Sequence, residues 1–220
     1  MTVAEIIQNR TSVRAYIDKP VPEETLKEIF AQAQSSPSNC NVQPWRTYVL
    51  LGAKKDELKD KLIEEVITRM KPNPDFDWKI KYHGIHRDRQ FQSAFALYDS
   101  MGIDREDKDA RSVAMLRNWS FFEAPHAAFF VMEKYLGLMG AVDMGIYAQS
   151  LALLMNEKGI SCCMQGALGQ FPDPIRHFFN YPESQGLLFG MSFGYADKTA
   201  DVNRTRTDRT ELDQSVQFIG

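Results

Sequence analysis

Between Asp143 and Lys158 the chain carries a helical pattern that is apolar on more than one side. Met144, Tyr147, Leu151, Leu154 and Met155 recur at helical spacing and make one broad stripe, while Ile146, Ala148, Ala152 and Leu153 lie off it. A surface helix needs only one such stripe, so this helix demands partners on both sides, in a core or across a subunit interface. Asp143 stands at its expected start, Lys158 falls in its last turn and Gly159 closes it.

The 220 residues suffice for one domain that buries roughly 70% of its unfolded surface. Val3 to Gln8 reads as a short helix, followed by an extended stretch from Arg10 to Tyr16. Pro22 to Ala33 is a helix with a buried stripe of Leu26, Ile29, Phe30 and Ala33, and Lys54 to Met70 is another, with Leu58, Leu62, Val66 and Met70 on one face. Trp45 to Leu51 reads as a buried strand ended by Gly52, and Ala127 to Met132, after Pro125, as a strand buried on both faces. Ile160 to Gly169 is a short strand and turn in which Gly166 and Gly169 permit close approach to a flat ligand. Pro174 to Phe179 is a short helix, and Gln185 to Tyr195 is a glycine-punctuated strand.

The segment from Lys71 to Glu123 is less regular and reads as a helical insertion, not a separate domain. Its aromatics include Phe76, Trp78, Phe91, Phe95 and Tyr98, the last three at the helical spacing of a core stripe. Asp104 is a candidate helix cap, with Asp107 three residues on. His83 and His86 lack the further ligands that a metal site needs.

A net charge of −3 and a pI near 5.8 argue against a nucleic-acid footprint, so any anion site is local. Three cysteines make no disulfide framework and fit a reducing cytoplasm. No stretch approaches the ~18 consecutive apolar residues of a membrane span. There is no G-x-G-x-x-G after a strand and no G-x-x-x-x-G-K-[ST], so neither a Rossmann nicotinamide site nor a P-loop is encoded.

Chemistry concentrates in three segments. In an extended Arg10 to Tyr16, Arg10, Ser12 and Arg14 share one face, and two guanidiniums flanking a hydroxyl make either a phosphate cradle or a solvated strand edge. Ser36 to Trp45 holds two prolines among Ser38, Asn39, Asn41 and Gln43, hence a shaped loop that can donate to and accept from a planar polar ligand. The third is the arginine-rich tail from Asn203 to Leu212, which by charge alone is a solvated arm.

Together, Arg-x-Ser-x-Arg at 10–14, Pro-Ser-x-x-Asn-x-Gln-Pro-Trp at 37–45, Gly159-Ile160 after the long helix, Gly194-Tyr-Ala-Asp197 and the arginine tail resemble the nitroreductase family of FMN-dependent oxidoreductases. The likeness runs from Ile6 to Phe218 and is looser in the middle, which looks like the nitroaromatic-reducing subgroup. It implies an α+β fold: a mixed, mainly antiparallel sheet flanked by helices, one domain over 1–220, with a helical insertion at about 71–123 that covers the flavin. It also implies an intertwined homodimer with two FMN molecules at the interface and the 143–158 helix in the dimer core. By the same likeness Arg10, Thr11, Ser12 and Arg14 hold the phosphate and ribityl chain or reach the pyrimidine edge. Pro37, Ser38, Asn39 and Asn41 come from the facing subunit or the opposite side of the ring. Cys163, Met164, Gln165 and Gly166 form the segment whose backbone, at Gln165 and Gly166, faces flavin N5. Arg209, before the Glu-Leu that precedes a final strand, completes the phosphate site, with Arg206 close behind. The family often has an acidic residue where Gln165 stands.

The implied activity is ping-pong hydride transfer from NAD(P)H through N5 to a small aromatic acceptor, a nitroaromatic or a quinone, with no side-chain nucleophile, metal, nucleic acid or membrane involved. Cys40, Cys162 and Cys163 are read as small buried hydrophobes. Alternatives are a same-fold reductase of enones or halogenated phenols, and a non-catalytic FMN carrier or sensor.

Overall fold

The computed structural model describes residues 1–69, 71–77 and 81–220. Its centre is one sheet of four strands, β1 (Arg46–Leu51), β2 (His126–Glu133), β3 (Ser161–Gln165) and β4 (Gln185–Gly194), in the order β1-β2-β4-β3 with every neighbouring pair antiparallel. Outside these strands, a parallel bridge from Ser12 to Cys162 and an antiparallel one from Tyr16 to Ala196 attach the extended 10–16 segment, so the sheet is mixed and mainly antiparallel.

Alternation along β2 shows how the layers form. Ala128, Phe130 and Met132 point into a core shared with α2 (Glu23–Ala33) and α6 (Gly137–Glu157), through Leu26, Ile29, Tyr147 and Leu151. Ala127, Phe129 and Val131 point the other way, against Leu58 and Leu62 of α3 (Ala53–Arg69) and Ile175 of α7 (Pro172–Phe179). A strand covered on both faces has no polar positions to spare, which accounts for the unbroken apolar run. β1 departs from its expectation: it is the sheet edge, and only Leu50 is buried. Met70 and Trp78, expected on the α3 stripe and among the insertion aromatics, lie outside the described residues.

The central helix α6 starts at Gly137, six residues before Asp143. Gly140 is what permits this: a Cβ there would stand 2.7 Å from Leu136 Cβ and 3.1 Å from Met132 Sδ, so only glycine lets the first turns lie against β2. Residues 134–157 are long and apolar enough to cross a bilayer by length and composition, yet Met144, Tyr147, Leu151 and Met155 are locked in the core. The opposite face, Leu138, Met139, Val142 and Ile146, is exposed.

In the insertion, α4 (Gly84–Ser100) has no buried residue, and the stripe expected in the core is half exposed: Phe91 and Phe95 stack at 6.2 Å under Arg87 and Arg105. The helix α5 (Lys108–Leu116) is capped by Asp107, whose carboxylate accepts from the Ala110 N–H at 2.9 Å; Asp104 lies one turn too early. Beyond a 3-10 turn at Leu212–Gln214, Val216, Phe218 and Ile219 stand exposed and form no strand within the chain. Among the described residues no His, Cys, Asp and Glu cluster could hold a metal ion.

Candidate functional site

The short helix α1 (Val3–Asn9), closed by a Thr2–Glu5 capping box, delivers the chain into the extended segment. There the Val13 N–H donates to Cys162 O and buries Val13, and period two turns Ser12 outward. Arg10, Thr11, Ser12 and Arg14 all line one cavity of about 480 Å³. From the other end of the chain Arg206 and Arg209 line it too, with the hydroxyls of Thr205 and Thr207, while α4 adds Ser93 and Leu97. Both tail arginines therefore reach the cavity, which the pattern alone had left as a solvated arm.

Two features hold this pocket. The Asn203 side chain accepts from the Arg14 N–H at 2.8 Å and donates to Ala15 O and Asp197 O, each at 2.8 Å, so one amide joins the arginine segment, the Gly-Tyr-Ala-Asp turn and the tail. Arg117 donates to Arg14 O at 2.9 Å from the insertion. Neither residue lies in a local pattern that the sequence would single out. Arg206 and Arg209 donate only to nearby tail groups, and none of the four pocket arginines makes an ion pair among the described residues. No carboxylate lines the cavity among those residues. Four guanidiniums and several hydroxyls converging on one space, in a chain of net charge −3, call for a ligand with a multiply charged anionic end.

Beside the bridge to Ser12, β3 carries Cys163 inward, Met164 outward and Gln165 inward, with Gly166 exposed at its end. Gln165 is 2% exposed; its Nε2 donates to Asn118 O at 2.8 Å, while its Oε1 is buried with no donor. At Gly169 a Cβ would meet Leu188 O at 2.6 Å, so glycine is needed there for packing on β4. Burial pushes the Cys162 thiol up to about 12, and burial likewise raises Cys163 against the opposing pull of Arg14, Ser12 and Arg10. Both thiols are neutral at pH 7 and poor nucleophiles. Cys40 differs from its expectation in being exposed, at a φ of 48°.

The 36–45 loop is built apart from this cavity. Ser36 Oγ closes α2 by donating to Ala33 O, and a 3-10 turn follows at Asn39–Asn41. Cys40, Asn41 and Gln43 all have left-handed backbone, which costs about 1–3 kcal/mol per non-glycine residue and is kept only where the surroundings enforce it. The enforcing contacts are the Gln43 N–H to Ser38 Oγ at 2.9 Å and the Asn39 N–H to Asp143 Oδ1 at 3.0 Å. Asp143 is thus not a helix cap but a buried anchor two turns inside α6, 4% exposed. Trp45 stacks on Tyr147 at 4.8 Å and donates to Gln34, a scaffold role. Pro37, Ser38, Asn39 and Asn41 do not line the arginine cavity of their own chain; Ser38 is engaged within the loop, and Asn39 and Asn41 are exposed.

Comparison with known proteins follows the same lines. The chain is 36% identical over 218 residues to nitroreductase NfnB of Mycolicibacterium smegmatis, covering 97% of this chain and 91% of that protein. It is 31% identical to a 4-nitrobenzoate reductase of Nocardioides sp., covering 97% and 88%. The crystal structure of the FMN and NADPH-dependent nitroreductase NfnB from Sphigopyxis sp. strain HMH superposes with a TM-score of 0.96 at 32% identity, over the whole of both chains. With the Nitroreductase family model matching residues 7–195, from α1 to the end of the β4 segment, the chain belongs to the nitroreductase family.

Proposed function

We propose that this protein is an FMN-dependent oxidoreductase that uses NADPH to reduce nitroaromatic compounds. The observation that carries the reading is the cavity lined by four arginines that make no ion pair among the described residues, two of them on the segment that Ser12 bridges to Cys162 of β3. Its donors suit a phosphate monoester, and the orphan Gln165 Oε1 is an acceptor suited to an N–H of a flat heterocycle. The relatives support the substrate class by their names, one a 4-nitrobenzoate reductase and one an FMN and NADPH-dependent nitroreductase.

In this reading Arg10, Arg14, Arg206 and Arg209 neutralise the phosphate, and Thr11, Ser12 and Thr207 hydroxyls orient it. Cys163 and Met164 line the approach, and Gln165 and Gly166 present the β3 edge to the ring. When bound, FMN would supply two-electron hydride chemistry between a nicotinamide and an aromatic acceptor. A donor and an acceptor that took turns at the β3 edge would give ping-pong kinetics, and quinones would be a second acceptor class. Neither Cys162 nor Cys163 takes part as a nucleophile, since both are buried and neutral.

The working unit is a homodimer. The exposed face of α6 at Leu138, Met139, Val142 and Ile146 and the exposed tail at Val216, Phe218 and Ile219 supply an apolar surface for a second copy. The loop holding Pro37, Ser38, Asn39 and Asn41 is anchored on that same helix, and in this reading it faces the partner's arginine pocket. The half-exposed aromatics of α4 make the 71–123 insertion a cover for the site. Three free thiols fit the cytoplasm.

Titration of the protein with FMN, followed by flavin fluorescence, tests the reading. Charge-assisted bonds of ~1.5–3 kcal/mol mean that Arg10→Ala and Arg209→Ala each weaken FMN by roughly ten- to a hundredfold. Wild-type affinity in both variants would overturn the phosphate assignment. NADPH oxidation dependent on 4-nitrobenzoate tests turnover; FMN binding without turnover would favour a carrier or sensor, and turnover only with enones or halogenated phenols a different reductase.

A further inference from the structure

We propose that a second cavity, between α3 and α5, binds a flat aromatic anion of the arene carboxylate class. Its volume is about 960 Å³, against about 480 Å³ for the arginine pocket, and no residue lines both. The inference does not depend on what occupies the arginine pocket.

The walls select a ring. Val66 of α3 and Leu116 of α5 provide aliphatic sides, and Trp119 meets Phe171 edge to face, with centroids 5.6 Å apart at 77°. An inorganic anion would leave these apolar walls uncovered, whereas a ring fills them.

The polar groups select a negative charge. Lys108 and Arg111 are the charged residues lining the cavity, with no carboxylate among the described residues, and Lys108 makes no ion pair there. Arg111 is held in place by donating Nη1 to Arg105 O at 2.8 Å and lying over the Tyr98 ring at 5.3 Å, yet its Nε is buried without an acceptor. Trp119, 4% exposed, has a buried Nε1 that also lacks an acceptor. The Ser112 hydroxyl, which also lines the cavity, donates to Lys108 O and is not the acceptor of either group. Native structures rarely leave two desolvated donors on one cavity unmatched, and a carboxylate brings the acceptor oxygens and the charge together. A neutral arene would fill the walls but leave the donors unpaired.

The cavity has a physical link to the first site. Tyr98 of α4 lines this cavity while Ser93 and Leu97 of the same helix line the arginine pocket, and Asn118, next to Trp119 in sequence, accepts from Gln165.

Isothermal titration calorimetry with 2-naphthoate and its neutral isostere 2-naphthamide tests the proposal, on protein with and without saturating FMN. The naphthoate is expected to bind at least tenfold more tightly than the amide, with an affinity unchanged by FMN. Lys108→Glu, a change at an exposed first-turn position of α5, should weaken naphthoate roughly tenfold and leave the amide unaffected. Trp119→Phe, which keeps the aromatic wall but removes the donor, should weaken naphthoate several-fold. The proposal is overturned if neither compound binds, if both bind alike, if Lys108→Glu leaves naphthoate unchanged, or if FMN displaces it. The arm without FMN stands even if the protein does not take that cofactor.

Discussion

Replacing Asp143 by alanine separates two effects that usually travel together. In the folded chain its carboxylate is buried in α6 and accepts the Asn39 N–H at 3.0 Å. A hydrogen bond to a charged group contributes ~1.5–3 kcal/mol, but a buried carboxylate also carries a desolvation cost of several kcal/mol. Alanine removes both, so global stability should shift by no more than about 1–2 kcal/mol. The loop sees only the loss. Its three left-handed residues, Cys40, Asn41 and Gln43, hold roughly 3 kcal/mol or more of backbone strain, and the Asp143 bond is comparable to that strain. Without it the loop populates relaxed conformers, and a ligand that needs the native form binds roughly ten- to a hundredfold more weakly. Asp143→Asn keeps an acceptor at the same place and should recover most of this. The direct assay is site-resolved amide exchange at Asn39, with FMN affinity as the second readout. Asn39 exchange as slow in Asp143→Ala as in the wild type would refute the anchor, and equal damage from alanine and asparagine would refute the role of the acceptor.

Three further outcomes follow from other parts of the structure. His126 is 2% exposed and its Nε2 accepts the Val21 N–H at 2.8 Å, which requires the neutral ring; burial lowers its pKa to about 4 from the ordinary 6.5. The unfolded chain therefore takes up the proton first, so stability present above pH 6.5 is lost as pH falls toward 4, by at most about 1.4 kcal/mol per unit, and His126→Gln should flatten that slope in urea titrations. Asp75, buried between Arg176 at 2.5 Å and Lys134 at 2.9 Å, also accepts the Leu187 N–H, so Asp75→Ala leaves a buried cation behind and should cost about 3–5 kcal/mol in denaturant unfolding. Ile146→Arg on the exposed face of α6 should convert a dimer to monomers by sedimentation without unfolding the chain, and unchanged mass would exclude that face from the interface.

Much of the architecture could be read because it obeys local rules. The apolar run of β2 and the Leu58 and Leu62 stripe of α3 are periodic signals that tertiary context reinforced. The start of α6 was hidden because Gly137 and Gly140 look like breakers and Asp143 looks like a cap; the reason for glycine lies in Met132, on another element. Phe91, Phe95 and Tyr98 have the spacing of a core stripe, yet α4 has no layer to bury it in. In the pocket, Arg10, Ser12 and Arg14 announced themselves by period two. Asn203 and Arg117 there, and Asp143 under the 36–45 loop, could not, because each acts on a segment about a hundred residues or more away. Such pairings leave no trace in spacing.

The three bonds of Asn203 also bear on the order in which the molecule is made. Arg14 and Asn203 lie 189 residues apart, and the single side chain of Asn203 clasps the arginine segment to the segment that carries Arg206 and Arg209. Closing so long a loop is entropically slow and comes after local contacts. The anion pocket is therefore a late product of folding, formed after the local contacts on either side of it. A phosphate-bearing ligand could then act as a latch on the finished molecule, slowing its unfolding while leaving the early steps of its folding untouched.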